Sequence, residues 1–285
     1  MIVRWIRRIL LSLARIFGRP NLGNTVCLMA HPDDGWYSAA ATLRRARKLR
    51  NKRTKSRNTV TSVSASNGGA GSQNHDRWHP DTIGTLREAE ERKAFSRIDV
   101  SDVRFLGLPD GKLHEIDFEE GVELVLALLR ELDPDTMITY GPDGLTGHSD
   151  HMVISGWVTE AVIRWIAEQI ADGKTPHLRL LYVVADHKFV DEIVPVLHEA
   201  QAIYAEPTAV HADKLFIDHW LSKVELAIKL LGIADHHTQS DPLGVAIGGL
   251  QLLEEFWFAH ETLVEADLEL PVAIRVELLL SSSVA

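Results

Sequence analysis

The chain has 285 residues, 45% of them hydrophobic, with a formal net charge of −10. That length and apolar content suffice to bury a full α/β core in one domain, and no internal repeat or low-complexity tract argues for another architecture. The single cysteine, Cys27, excludes a disulfide framework within the chain and thiolate zinc ligation, and suits a reducing, cytoplasmic compartment.

Along the chain, residues 1–20 come first. At helical periodicity Arg4, Arg7, Arg8, Arg15 and Arg19 gather on one arc, while Ile2, Trp5, Ile6, Ile9, Leu13, Ile16 and Phe17 occupy the opposite one. Gly18 and Pro20 end the pattern. The stretch is too short and too charged to span a bilayer, and it has no small-residue cleavage site. It reads as a basic amphipathic helix on an anionic membrane surface, with packing on this protein's own core or on a second subunit as the competing reading, and residues 21–285 read as one catalytic domain.

Strands are expected near 25–30, 59–66, 102–106, 135–140 and 178–185, and helices near 36–50, 83–97, 117–131 and 151–171. This alternation predicts a Rossmann-like, doubly wound, mostly parallel sheet flanked by helices. Nine basic residues fall between Arg44 and Arg57. Residues 1–57 carry fourteen Lys or Arg against Asp33 and Asp34, a balance of +12 that leaves −22 for the rest. The run reads as a solvated loop or as a second contact with lipid phosphate, including the phosphate of a lipid-linked sugar. Overall charge and the lack of interleaved aromatics argue against nucleic acid. Beyond residue 200, residues 203–218 are expected to form one or two strands and 220–234 a helix.

Two segments carry the chemistry: Met29-Ala30-His31-Pro32-Asp33-Asp34 and Gly147-His148-Ser149-Asp150-His151. Each follows an expected strand and precedes an expected helix. A 3-2-1-4-5 strand order makes those two strands neighbours, and both segments then face one crevice at the carboxyl ends of the strands. His31 and Asp34 can converge on a cation and His151 can close a facial set of three N/O ligands with an open position, the usual form of a catalytic zinc site. Zinc acidifies water, a nearby carboxylate can take the proton, and Asp33 is placed for that role. His148 can donate to a developing oxyanion, with Asp150 fixing its tautomer. The same ligands accommodate ferrous iron. This is the residue set of a metal-dependent hydrolase.

At these residues the chain resembles the LmbE/PIG-L family of metal-dependent N-deacetylases, whose signatures read A-H-P-D-D and G-H-x-D-H. The resemblance extends over Ser64 to Gly71, over Arg87-Glu88-Ala89-Glu90 as an R-x-x-E helix, over Phe105 to Gly111, and over His236-His237-Thr238-Gln239 as an H-x-[ST]-Q segment, in order from about residue 25 to 240. It implies a LmbE-like fold, metal ligands at His31, Asp34 and His151, a general base at Asp33, an oxyanion-stabilising His148, and sugar contacts at Arg87 and Asp110. The implied substrate is an N-acetylglucosaminyl conjugate, with a lipid-linked one included. An amidase of a thiol conjugate or natural product is the nearest alternative, and a non-catalytic membrane-associated sugar-binding protein the alternative outside enzymes. Gly35 departs from the glutamate that many members carry after the two aspartates, which predicts altered helix entry or altered contacts behind the ligands rather than lost metal. His236 and His237 read as a pocket or surface pair, or else as a second metal pair; His75-Asp76-Arg77-Trp78-His79 reads as a pocket lid. Trp36 and Trp78 suit either sugar stacking or burial. A homo-oligomer is compatible with the sequence.

Overall fold

A computed structural model describes residues 20–71, 78–199, 203–239 and 259–268. The expected N-terminal helix, residues 75–77 of the expected lid and most of the last forty residues lie outside these.

Five parallel strands alternate with helices: β1 (Thr25–Met29), α1 (Asp34–Lys48), β2 (Val60–Ser66), α2 (Pro80–Ser96), β3 (Asp102–Leu108), α3 (Phe118–Leu132), β4 (Thr136–Tyr140), α4 (Ser149–Ala171) and β5 (Arg179–Val183). Short helices α5 (His187–Glu192) and α6 (Val194–Glu199) lead to β6 (Ile217–Trp220), α7 (Lys223–Asp235) and β7 (His260–Glu265). The sheet runs β3-β2-β1-β4-β5-β7-β6, with β7 antiparallel to both its neighbours. The expected 3-2-1-4-5 order is present, extended by two antiparallel strands.

β1, β2 and β4 are buried along their whole length, as strands covered on both faces must be, whereas the edge strand β3 is partly exposed. Right-handed crossovers send the chain outward from β1 to β3 and back from β3 to β5, so α1 and α2 cover one face and α3 and α4 the other. On the first face Trp36 of α1 packs edge-on against Phe95 of α2 and over Gly232 of α7, where a Cβ would sit 2.0 Å from the indole. On the second face Gly121 of α3 admits Trp157 of α4 equally closely. Trp36 is fully buried and gives its Nε1–H to the Lys229 carbonyl, so burial rather than sugar stacking is its role.

Of the one or two strands expected between 203 and 218, one forms, late, at Ile217–Trp220; before it lie an isolated parallel bridge of Val210 to Asp186 and a 3₁₀ turn at Ala212–Lys214. Pro207 has no N–H for a ladder there. The helix α7 begins at Lys223 because Ser222 and Glu225 form a reciprocal capping box.

A buried carboxylate joins the antiparallel extension to the first helix. Glu261 of β7 accepts from Ala41 N (2.9 Å), Thr42 N (2.8 Å) and Lys229 Nζ (2.8 Å), with both side chains of the ion pair out of water. Burial pushes the Glu261 carboxyl up, but Lys229 and His219 beside it bring it below the usual carboxylate range. Its contribution to stability is therefore present above the unfolded-state carboxylate pKa and lost as pH falls. Glu261→Gln should leave Lys229 charged and unpaired, destabilise the fold by about 3–5 kcal/mol in urea unfolding at neutral pH, and show a shallower acid-side loss than the unsubstituted chain.

Candidate metal centre and catalytic crevice

The chain leaves β1 into a tight turn at His31–Asp34. Asp34 Oδ2 accepts from His31 N at 2.8 Å, which closes the turn and opens α1. Asp33 is held at φ 92°, an uncommon value for a residue with a side chain. Its N–H donates to Glu91 Oε2 (3.0 Å), while Arg87 Nη2 donates to the Pro32 carbonyl (2.8 Å) and to Asp33 Oδ1 (3.2 Å).

The neighbouring strand β4 ends in a second turn, with Gly144, Leu145 and Gly147 all at positive φ. His148 then caps α4: its Nδ1 accepts from Asp150 N at 3.1 Å. Nδ1 is thus the acceptor, and the proton of the neutral ring sits on Nε2. Three residues on, His151 donates Nδ1–H to the Gly144 carbonyl (3.0 Å), and its ring stacks on Tyr140 at 4.0 Å. That leaves the His151 Nε2 lone pair facing the first turn.

Three donor atoms meet between the two turns. His31 Nδ1 lies 3.2 Å from Asp34 Oδ2 and 3.3 Å from His151 Nε2, and the last two are 3.5 Å apart. A cation bonded to such ligands at about 2.0–2.2 Å in tetrahedral geometry separates them by roughly 3.3–3.6 Å, so one small divalent ion fits this set. His31, His148 and Asp150 also lie close together, but the Asp150 carboxylate already accepts from Gly111 N (2.8 Å) and Leu113 N (3.2 Å), which favours the His31, Asp34, His151 set.

The structure redirects three expected side chains. The Asp150 carboxylate does not hold the His148 ring; it faces His31 Nε2 at 3.4 Å, and only the Asp150 backbone sets the His148 tautomer. Asp110 faces the same His31 nitrogen at 3.1 Å and is held in turn by Ala70 N and Ser66 Oγ. Arg87 is buried, gripping the turn at Pro32 and Asp33 and the Gly68 carbonyl (2.9 Å), because it sits on the inner face of α2. Asp110 and Arg87 therefore brace the turn and His31.

Electrostatics follow from this packing. Burial disfavours charge on Asp34, but His151 and His31 overcome it and hold the carboxyl well below its usual range. Burial likewise opposes the His31 charge, yet Asp110, Asp150 and Asp34 raise it well above an ordinary histidine. Burial lowers His151 to about 4, which keeps it a neutral, ligand-ready imidazole. Burial and the charge on His31 lower His148. Asp33 is pushed up to about 7 by burial, against the pull of Arg87.

Sequence reasoning missed Glu91, Tyr140 and Tyr204. Arg87, Glu90 and Glu91 share the inner face of α2, and the signal for Glu91 was its place four residues after Arg87 on that face. Glu91 joins Asp33 N to His236 Nε2 (2.8 Å), and Glu90 binds Thr238 Oγ1 (2.6 Å) and His237 Nδ1 (2.7 Å). His236 and His237 thus brace the site through two carboxylates and do not form a second metal pair. Trp78 packs edge-on to His237. Tyr204 lies edge-on to His148 at 5.2 Å, with its own N–H bound to the Thr146 carbonyl, on the exposed rim of the crevice. At Gly35 a Cβ would face Cys27, Phe95 and Met29 at 3.4–3.7 Å, toward the core, so the missing glutamate takes nothing from the three donors.

Residues 26–162 match the family model described as PIG-L: GlcNAc-PI de-N-acetylase. Among curated relatives, the 1D-myo-inositol 2-acetamido-2-deoxy-alpha-D-glucopyranoside deacetylase of Nocardiopsis dassonvillei is 27% identical over 188 residues, 55% of this chain and 64% of that protein. The chain therefore spans less than two thirds of that relative. The probable N-acetyl-alpha-D-glucosaminyl L-malate deacetylase 2 of Bacillus cereus is 23% identical over 220 residues, 77% of this chain and 85% of that protein. The N,N'-diacetylchitobiose deacetylase of Pyrococcus horikoshii shares the fold, with a TM-score of 0.59 at 15% identity and 93% of each chain covered.

If Asp110 fixes the ring and tautomer of His31, Asp110→Asn should weaken zinc binding by about 10–100-fold. Competition with a chromogenic chelator measures this directly, and unchanged affinity rejects the role.

Proposed function

We propose that this protein is a metal-dependent amide hydrolase that removes the acetyl group from an N-acetylglucosamine-type conjugate. The observation that carries the reading is the convergence of His31 Nδ1, Asp34 Oδ2 and His151 Nε2 within 3.5 Å of one another, beside Asp33 and His148. The deacetylase names of the sequence relatives support the same chemistry.

His31, Asp34 and His151 would hold a divalent ion, zinc or ferrous iron, which supplies Lewis acidity toward a carbonyl oxygen and toward water. Asp33 accepts the proton of the attacking water and returns it to the departing amine. Arg87 and Glu91 keep that carboxylate in place by holding both its side chain and its backbone. His148, neutral and with Nε2–H directed by its helix-capping bond, donates to the oxygen that gains charge as the carbonyl carbon becomes tetrahedral. A strained, buried aspartate so firmly held favours catalysis over a binding-only role, which has no use for a proton acceptor.

We also propose that residues 21–285 act as one catalytic unit and that residues 1–20 and 44–57 touch an anionic membrane surface. Among the described residues no helix is long and apolar enough to cross a membrane.

Acetate release from a panel of N-acetylglucosamine conjugates tests the reaction. Asp33→Ala should lower kcat by roughly 10²–10⁴-fold and His148→Ala by about 10²–10³-fold, while chelation should abolish turnover and zinc or ferrous iron restore it. No release by metal-loaded protein from any member of the panel would sink the deacetylase reading.

A further inference from the structure

The two ends of the parallel strands differ in chemistry. The three donors with Asp33, Asp110, His148 and Asp150 lie at the carboxyl ends, in the segments that follow β1, β3 and β4. The basic run lies at the amino ends: α1 delivers it beneath the sheet, Arg53 pairs with Asp133 and Asp135 just before β4, and Arg47 and Arg57 pair with Asp99 just before β3. Strands of five residues at about 3.3 Å each separate these two edges by roughly 17 Å before the loops are added.

Not all of the run is neutralised by the protein. Lys48, Arg50, Lys52 and Lys55 are exposed and have no acidic partner among the described residues, and Leu49 projects between the first two with 39% of its surface in water. Asn21 holds this edge together: its Nδ2 donates to the Arg50 carbonyl (2.7 Å) and its Oδ1 accepts from Asn58 Nδ2 (3.0 Å).

We propose that this pole docks on an anionic bilayer and holds the catalytic crevice facing water, so that the enzyme acts on a water-soluble N-acetyl sugar conjugate and not on one whose lipid lies in the membrane beneath it. The substrate half of this inference rests on the deacetylase reading above; the docking half does not. Unpaired lysine and arginine with an intervening apolar side chain suit lipid phosphate, and the attraction should weaken with ionic strength. The lipid-linked substrate expected from the basic run is disfavoured, since a phosphate bound there is on the far edge of the sheet from His148.

Vesicles of phosphatidylcholine with phosphatidylserine, against phosphatidylcholine alone, provide the test with the full chain. Binding should require phosphatidylserine, and the combined Lys48→Ser, Arg50→Ser, Lys52→Ser, Lys55→Ser variant should bind more than tenfold more weakly while its kcat/KM on a soluble conjugate is unchanged. A polarity-sensitive dye at Lys52→Cys should shift on vesicle addition and one at Lys112→Cys, on the crevice side, should not; Cys27 is buried and stays unlabelled. Equal binding by the variant, a shift at position 112 alone, or tighter binding to duplex DNA than to the vesicles overturns the docking. Preferential turnover of an N-acetylglucosaminyl lipid in the same vesicle overturns the substrate class. Vesicle binding and the dye pattern without acetate release from any substrate leaves the docking standing and removes the enzymatic reading instead.

Discussion

The site is organised around one imidazole held from both edges. His31 presents Nδ1 to Asp34 and His151 and Nε2 to Asp110 and Asp150, so a single buried ring ties together the segments after β1, β3 and β4. Two carboxylates on one nitrogen fix the ring's rotation and its tautomer, which leaves the opposite nitrogen directed at the other donors. Asp110 and Asp150 are in turn held by backbone N–H groups of the segments after β2 and β3. Loop position and ring orientation are therefore one constraint.

Charge balance explains why this arrangement is buried in a protein that must still fold. Asp33, Asp34, Asp110, Asp150 and Glu91 would repel one another in a low-dielectric interior, and Arg87, His31 and His236 offset them within hydrogen-bonding distance. The inner face of α2 carries much of this burden, since it presents Arg87 to the Asp33 turn, Glu91 to its backbone and Glu90 to the segment after α7. Strain at Asp33 persists because these bonds over-determine it.

Polarity of the sheet separates the candidate crevice from the basic pole. Parallel strands place all their carboxyl ends on one edge, where turns and helix starts expose N–H groups and polar side chains, and all their amino ends on the other, where helices finish. α1 illustrates both: its first turn supplies Asp34 to the crevice and its last turn supplies Arg45, Arg47 and Lys48 to the basic pole. The cations that favour a helix C-terminus thereby also build a surface suited to anions.

Much of this was legible in the sequence because it is local. Apolar runs such as Thr25–Met29, the alternation with helical periods, and the short spacing from His31 to Asp34 are properties of neighbouring residues, and they pointed to the strand order, the facing turns and the candidate donor set of His31, Asp34 and His151. Only tertiary structure decided what the carboxylates of Asp110 and Asp150 touch, that Arg87 braces the Asp33 turn, and that Glu91 and His236, 145 residues apart in the chain, meet beneath Asp33. The residue-level pattern shows that such groups are polar and helical but not which partner satisfies them, since burial leaves a charged side chain only the partners that folding brings within about 3 Å. The opposition of the basic pole and the crevice is likewise a consequence of strand direction, which a one-dimensional run of charges does not contain.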